Sequence, residues 1–205
     1  MTQLKAAAGV ALLTAMACAH TGGAAPAEQA QTKPASPPAT SAPAVPSDAR
    51  TVATFTERVR QYSELHNKLE KTLPALPKET TPEAIDKHQR ALEALIKQHR
   101  ASAKRGDIFD PETEKMIRRV FAQIFAGSEG AKLKATIMDE NPTTTKLAVN
   151  SRYPDEVPLS TMPPQVLAML PKLPDDLEYR FIGSRLILLD VHAHTIADYI
   201  ENALP

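Results

Sequence analysis

The sequence predicts an α+β fold in which N-terminal antiparallel helices pack with a small C-terminal antiparallel β-meander. Between Asp48 and Asn141, large apolar residues recur every three or four positions, which is the spacing of amphipathic helices. From Leu177 onward, apolar and polar residues alternate and then merge into the densest apolar run outside the N-terminal leader, which predicts strands. Short connections between the helical segments favour antiparallel neighbours.

Composition and motifs divide the chain into four stretches. We predict a signal peptide at 1–17, a disordered Ala/Pro-rich tether at 18–47, a helical region at 48–141 and a mixed region with the β-meander at 142–205. The helical and mixed regions are expected to form one compact unit, because each offers apolar faces that need a partner.

The leader has the layout of a secretory signal, since Lys5 precedes an apolar run that is shorter than the roughly 20 residues needed to span a bilayer. Cys18, the only cysteine, follows Ala15-Met16-Ala17 and resembles the cysteine of a bacterial lipobox, although Ala15 stands where Leu is usual. We therefore expect lipid attachment at Cys18. The alternative is an ordinary signal cleaved at an Ala-x-Ala site, which would leave Cys18 without a role.

The tether contains almost no large apolar side chains, so it cannot offset the entropy cost of becoming ordered. It would hold a folded domain away from a membrane surface. The sequence thus predicts an exported, membrane-anchored lipoprotein that faces the periplasm or the cell surface. Its expected partners are the membrane, through the N-terminal lipid, and another envelope protein.

Start and stop signals delimit four helices in the helical region. Prolines and glycines end them, and capping side chains followed by proline begin two of them. The predicted helices run from Asp48 to Pro74, from Thr81 to about Lys104, from Asp110 to Gly127 and from Ser128 to Asn141. His66, His88 and His99 lie in the first two helices and are expected to be partly exposed.

The mixed region combines weakly patterned segments with clear strands. The predicted elements are a strand at Lys146–Asn150, a short helix from Pro163 or Pro164 to Leu170 with Thr161 as its cap, and strands around Leu177–Phe181, Arg185–Val191 and Thr195–Ile200. Gly183-Ser184 predicts a tight reversal. Residues 195–200 also fit helical spacing, so a helix is the alternative there.

Asp190, His192 and His194 form the one local cluster of metal-capable side chains. At positions i, i+2 and i+4 of a strand they would point to one face, within reach of one divalent metal ion. The other interpretation is a strand leaving the core with its histidines at the rim. The motif ILLDVHAHT also resembles the Asp-x-His-x-His of amidohydrolases, but we expect no such chemistry, because the barrel that this family builds after the motif has no counterpart here.

Apart from that motif, no set of residues in the sequence resembles a catalytic centre. Adjacent carboxylates at Asp139-Glu140 and Asp175-Asp176 do not share a face as paired general acids require, and Ser184 lacks the second glycine of a nucleophile elbow. The 24 basic and 24 acidic side chains balance, which gives no reason to expect nucleic acid as a partner. We therefore expect no enzyme activity and no cofactor; a divalent metal at Asp190, His192 and His194 is the alternative.

Several stretches carry a resemblance to known proteins. GDIFDPE, IMDENP and the run from VNSRYPDEVPLS to the final residues resemble a family of uncharacterised exported bacterial proteins over about residues 50–205. That resemblance implies an envelope location and brings no activity. The run from Leu173 to Ile200 is also similar to the C-terminal β-unit of periplasmic nickel/cobalt-homeostasis proteins, in the order LP, YRF, Gly, LIL and Ile. This similarity favours a strand over a helix at Thr195.

The sequence favours a non-enzymatic cell-envelope lipoprotein with a protein-binding or structural role. The first alternative is a periplasmic metal-binding or metal-homeostasis protein that uses His192, His194 and Asp190. The second alternative is an envelope enzyme whose site the sequence does not identify.

Overall fold

A computed structural model describes residues 47–140, 146–155, 157 and 162–205, all of which belong to the compact unit Pro43–Pro205. The elements are α1 (Ser47–Glu70), α2 (Pro82–His99), α3 (Pro111–Ile124), α4 (Gly127–Glu140), α5 (Pro164–Leu167), β1 (Leu177–Ile182), β2 (Arg185–Asp190) and β3 (Thr195–Ile200). The α+β class is confirmed. The predicted signal peptide, Cys18 and nearly all of the predicted tether lie outside the described residues. Among the helices that the structure describes, none has the length and apolar character needed to cross a membrane.

The three strands form an antiparallel meander in the order β1-β2-β3, as predicted. Gly183 takes a φ of 57° in the turn between β1 and β2, a conformation that glycine adopts at little cost. Residues 195–200 are a strand, so the helical alternative is wrong. Strand β2 ends at Asp190 and not at Val191, and residues 191–194 make a tight turn in which His194 has a φ of 53°.

Helices α2 and α3 begin at the predicted caps. The Thr81 hydroxyl accepts the Ala84 N–H at 3.3 Å, and the Asp110 carboxylate accepts the Thr113 N–H at 2.8 Å. Arg58 of α1 pairs with Asp110 at 2.8 Å. Burial opposes ionisation of Asp110, but the hydrogen bonds from Thr113 and the charge of Arg58 outweigh it and lower the pKa of this carboxyl.

Helix α2 ends at His99, several residues before the predicted end near Lys104. The reason is tertiary. The Arg100 guanidinium donates to Asn150 Oδ1 at 2.7 Å and to the Ala197 carbonyl at 3.1 Å. Further along, the buried Asp198 carboxylate of β3 accepts the backbone N–H groups of Gly106, Ile108 and Phe109. These contacts hold the segment after α2 against the sheet, where a continued helix could not supply the same donors.

Two predicted elements of the mixed region are wrong in part. Lys146–Asn150 is not a strand: it ends in a turn with Asn150 at a φ of 61°. The chain pairs with the outer edge of β3 only from Asn150 onward, where the Asn150 N–H donates to Ile196 O and the Ile196 N–H donates to Ser151 O. The short helix α5 covers Pro164–Leu167 and stops before Leu170, and its predicted cap Thr161 lies outside the described residues.

The buried apolar residues form three clusters around the sheet. One face of the sheet packs against α1, α3, α4 and α5, and the opposite face is covered by the segment around Tyr153 and Val157. The third cluster comprises Leu69 of α1, Leu92 and Ile96 of α2, and Ala193 of the β2–β3 turn. This third cluster brings the end of α1, the middle of α2 and the turn after Asp190 to one place.

Candidate metal centre

Asp190, the last residue of β2, lies at the centre of a buried hydrogen-bond network. Its Oδ1 accepts the backbone N–H groups of His192 at 3.1 Å and Ala193 at 2.8 Å. Its Oδ2 accepts the Tyr62 hydroxyl at 2.8 Å and lies 2.6 Å from Nδ1 of His66. A carboxylate only accepts hydrogen bonds, so the proton in the short contact belongs to Nδ1 of His66. The Nε2 atom of His66 is then the nitrogen that points away from Asp190.

Helix α1 presents three polar side chains to this network at intervals of one turn. Tyr62, His66 and Glu70 occupy positions i, i+4 and i+8 and share the face that also carries the apolar stripe. The side chains of His66 and Asp190 are both 0% exposed. The expectation that His66 is a partly exposed helix histidine is therefore wrong, because it occupies a core position of its helix.

The Glu70 carboxylate lies among three imidazole rings. Its Oε2 is 3.3 Å from His66 Nε2, and its Oε1 is 3.1 Å from His192 Nδ1 and 3.4 Å from His88 Nε2. Burial opposes its ionisation, but the hydrogen bond and charge of His192, together with His66 and His88, lower the pKa of Glu70. The carboxylate is therefore ionised and available at neutral pH.

His66, Glu70 and His192 meet the geometric requirement for a shared metal ion. One ligand atom from each lies within 4.8 Å of the other two. In a tetrahedral zinc site with bonds of about 2.0–2.1 Å, neighbouring ligand atoms are about 3.3–3.5 Å apart. The contacts of 3.3 and 3.1 Å that join Glu70 to His66 and His192 are close to that spacing. Small side-chain adjustments would bring all three onto one ion.

The pKa of His66 is set by its burial and by three nearby carboxylates. Burial lowers the pKa of this histidine, but the hydrogen bond and charge of Asp190, with further contributions from Asp176 and Glu70, raise it overall. In the metal-free protein an added proton on Nε2 would face Glu70. A metal ion at the same position would replace that proton.

The three residues singled out by the sequence have separate positions. Asp190 is buried behind His66, and His192 is half-exposed beside Glu70, with a ring centroid 5.3 Å from that of His66. His194 points elsewhere: its Nε2 is 3.9 Å from Asp155 and its ring is 5.5 Å from that of Tyr153. The expected common strand face is therefore wrong, because β2 ends at Asp190 and the following turn breaks the alternation.

Sequence reasoning missed the contribution of α1. Two signals for it were present: His66 falls within the apolar stripe of the helix, and Glu70 follows it by four residues on the same face. Neither signal indicates which distant segment would face them, so only the packing of α1 against the β2–β3 turn brings His192 to the pair.

The metal-capable group borders an open depression with a volume of about 470 Å³. Its lining residues come from the end of α1, the following connection and α2: Asn67, Glu70, Lys71, Leu73, Ala75, Leu76 and His88. The exposed side of Glu70 therefore faces solvent-accessible space, whereas its other side faces the buried His66. An ion could reach the three ligands from this side without unfolding of the core.

Comparison of the chain with protein-family models, with curated proteins and with solved structures finds no match.

Proposed function

We propose that the folded domain binds a divalent transition-metal ion through His66, Glu70 and His192. The observation that carries the proposal is the convergence of these three side chains, with His66 held from behind by the buried Asp190. In zinc proteins, a ligating histidine usually donates its second N–H to a carboxylate or carbonyl, which fixes its tautomer and orientation. The contact of 2.6 Å between Asp190 and His66 supplies that arrangement here.

The ligand types favour particular metals. Two imidazoles and one carboxylate suit zinc, nickel or copper, whereas calcium and magnesium prefer sets made only of oxygen. This keeps the metal-binding alternative drawn from the sequence but changes its ligands. His192 stays a ligand, Asp190 becomes the residue that orients His66, and His194 is replaced by His66 and Glu70.

Calorimetric titration of the purified domain with zinc, nickel and copper tests the proposal. We expect saturable binding of one ion per chain for at least one of the three metals. Glu70→Gln and His192→Ala should each weaken that binding by about tenfold or more, the loss typical even for partners outside the ligand set.

His194→Ala is the matched control for His192→Ala, since both replace a histidine of the same turn. It should leave the affinity unchanged, because the His194 ring lies against Tyr153. The absence of saturable binding, or equal losses in the two histidine variants, would contradict the proposed site.

We also propose that the domain acts outside the cytoplasm as a tethered lipoprotein without enzyme activity. The support is the sequence alone: the leader, the lipobox-like Cys18 and the Ala/Pro-rich stretch after it. Fractionation of cells that express the full chain and its Cys18→Ser variant tests the anchor. Membrane association that survives the substitution would exclude attachment at Cys18.

A second candidate function is binding of another envelope protein, and one apolar surface favours it. Leu167 and Met169 are 46% and 53% exposed, and Leu167 lines a depression of about 390 Å³ that also includes Leu173 and Tyr179. Leu167→Ser/Met169→Ser should abolish recovery of a reproducible partner from envelope extracts. Leu76→Ser, an exposed leucine in the α1–α2 connection, is the control, and equal recovery with both variants would contradict this role.

A further inference from the structure

We infer that His88 of α2 is the fourth protein ligand of the metal ion, an inference that rests on the proposed function. Its Nε2 lies 3.4 Å from Glu70 Oε1, on the side of the carboxylate away from the Oε2 contact with His66. The His88 side chain is only 12% exposed, although α2 is a surface helix. Three imidazole nitrogens and one carboxylate oxygen would complete the tetrahedral coordination of the ion.

The packing of α2 explains why His88 is aimed at this place. Leu92 follows His88 by one turn and packs with Leu69, the neighbour of Glu70 in α1. The face of α2 that makes the third apolar cluster therefore also carries His88 toward Glu70. Its position is fixed by the core and not by a surface rotamer alone.

The hydrogen-bond geometry shows that His88 is not committed to a strong alternative partner. A distance of 3.4 Å exceeds the usual 2.7–3.2 Å of an N–H···O bond, and the contact with Glu70 is the one hydrogen bond found for its ring among the described residues. His66, by contrast, is anchored to Asp190 at 2.6 Å. Nε2 of His88 lies outside the group of ligand atoms from His66, Glu70 and His192 that are within 4.8 Å of one another, so a rotation of the His88 side chain would carry it from Glu70 toward an ion held by these three.

Recruitment of His88 would make the ion a link between three elements. His66 and Glu70 come from α1, His88 from α2 and His192 from the turn between β2 and β3. A site with four protein ligands is closed and structural in character, whereas three protein ligands leave a position for water or another ligand. The number of histidine ligands therefore distinguishes a domain that the metal stabilises from a domain whose metal ion has a coordination position free for water or another ligand.

Copper(II) loaded into the full domain provides a direct count of ligating nitrogens by electron paramagnetic resonance. We expect three imidazole nitrogens in the wild-type protein, two in His88→Ala and three in His99→Ala. His99 is a suitable control, because it lies on the same helix but bonds its Nδ1 to the Leu95 carbonyl at 3.0 Å. Zinc affinity should fall by about tenfold or more in His88→Ala and stay unchanged in His99→Ala.

The outcomes separate the inference from the proposed function. Two nitrogens in the wild-type spectrum, or unchanged zinc affinity in His88→Ala, would overturn the role of His88 while leaving the other ligands in place. No saturable binding to the wild-type protein would overturn the proposed function and this inference with it. The wild-type spectrum decides the count even if a variant fails to fold.

Discussion

The substitution Asp190→Asn tests the hydrogen-bond network most sharply, because it keeps the shape of the side chain and changes only its donors and acceptors. The asparagine carbonyl can still accept the N–H groups of His192 and Ala193. Its NH₂ group would then face Tyr62 and Nδ1 of His66. The Tyr62 hydroxyl can rotate to accept, but two N–H donors would oppose each other at His66.

The cost of that conflict can be bounded from the contacts. One buried polar group left without a partner costs about 1–3 kcal/mol, which is the expected loss in unfolding free energy of the metal-free variant. The imidazole can relieve the conflict by moving its proton to Nε2. That tautomer blocks the nitrogen that would bind the metal. Zinc affinity should therefore fall about 10–100-fold, as it does when other residues that hydrogen-bond a zinc-binding histidine are replaced. This corresponds to about 1.4–2.8 kcal/mol.

Urea denaturation in the presence of a chelator measures the first effect, and zinc titration measures the second. Asp176→Asn is the matched control, since Asp176 is also buried and accepts the Ser63 hydroxyl at 2.8 Å without bonding to His66. The control should lose stability but much less zinc affinity than Asp190→Asn, because Asp176 acts on His66 through its charge and not through a hydrogen bond. If Asp190→Asn were destabilised but bound zinc as tightly as the wild type, Asp190 would not orient a metal ligand and the reasoning would be refuted.

Three further predictions concern stability. Tyr62→Phe should lower the free energy of unfolding by about 0.5–1.5 kcal/mol in urea, because it removes one hydrogen bond to Asp190 and keeps the ring; an unchanged midpoint would contradict this. The lowered pKa of Asp110 means that its charge stabilises the fold above pH 3.8 and that this contribution disappears as the pH falls through the lowered value. Asp110→Asn, which keeps the cap, should therefore cost about 0.3–1 kcal/mol at pH 7 and progressively less in acid, and a difference that is constant with pH would exclude the charge effect. Gly130→Ala should reduce the thermal midpoint, with a cost of about 1–3 kcal/mol, because the new Cβ would lie 2.3 Å from the Phe125 carbonyl carbon; an unaltered midpoint would show that the backbone yields freely there.

Elements whose signals are local could be predicted from the sequence. Thr81 and Asp110 cap α2 and α3 as expected, and the three strands of the meander lie where the alternation and Gly183 indicate. The meander follows from covalent continuity, because neighbouring strands with tight turns pair with each other.

Elements that depend on distant contacts could not be predicted. The segment after α2 is held by Asp198, about ninety positions further along the chain, and no pattern near Arg100 indicates that. The turn after Asp190 was missed for a different reason, since its contacts are local: the Asp190 carboxylate accepts the N–H groups of His192 and Ala193, so the strand ends where a simple period of two would continue.

The same distinction between local signals and distant contacts applies to the candidate site. His192 and Asp190 were identified because they are close in sequence and have metal-capable or carboxylate side chains. Their partners His66 and Glu70 belong to a helix more than a hundred residues earlier, where an apolar stripe and an i, i+4 pair are common features of many helices. The packing of α1 against the β2–β3 turn is the information that the sequence pattern lacks.

Anomalous X-ray scattering at the zinc edge, from crystals of the domain grown with zinc, tests the central claim most directly. We predict a single strong peak at about 2.0–2.2 Å from His66 Nε2, Glu70 and His192 Nδ1. A peak beside His194 and Asp155, or no peak near Glu70 in zinc-loaded protein, would contradict the claim that these three side chains hold a metal ion.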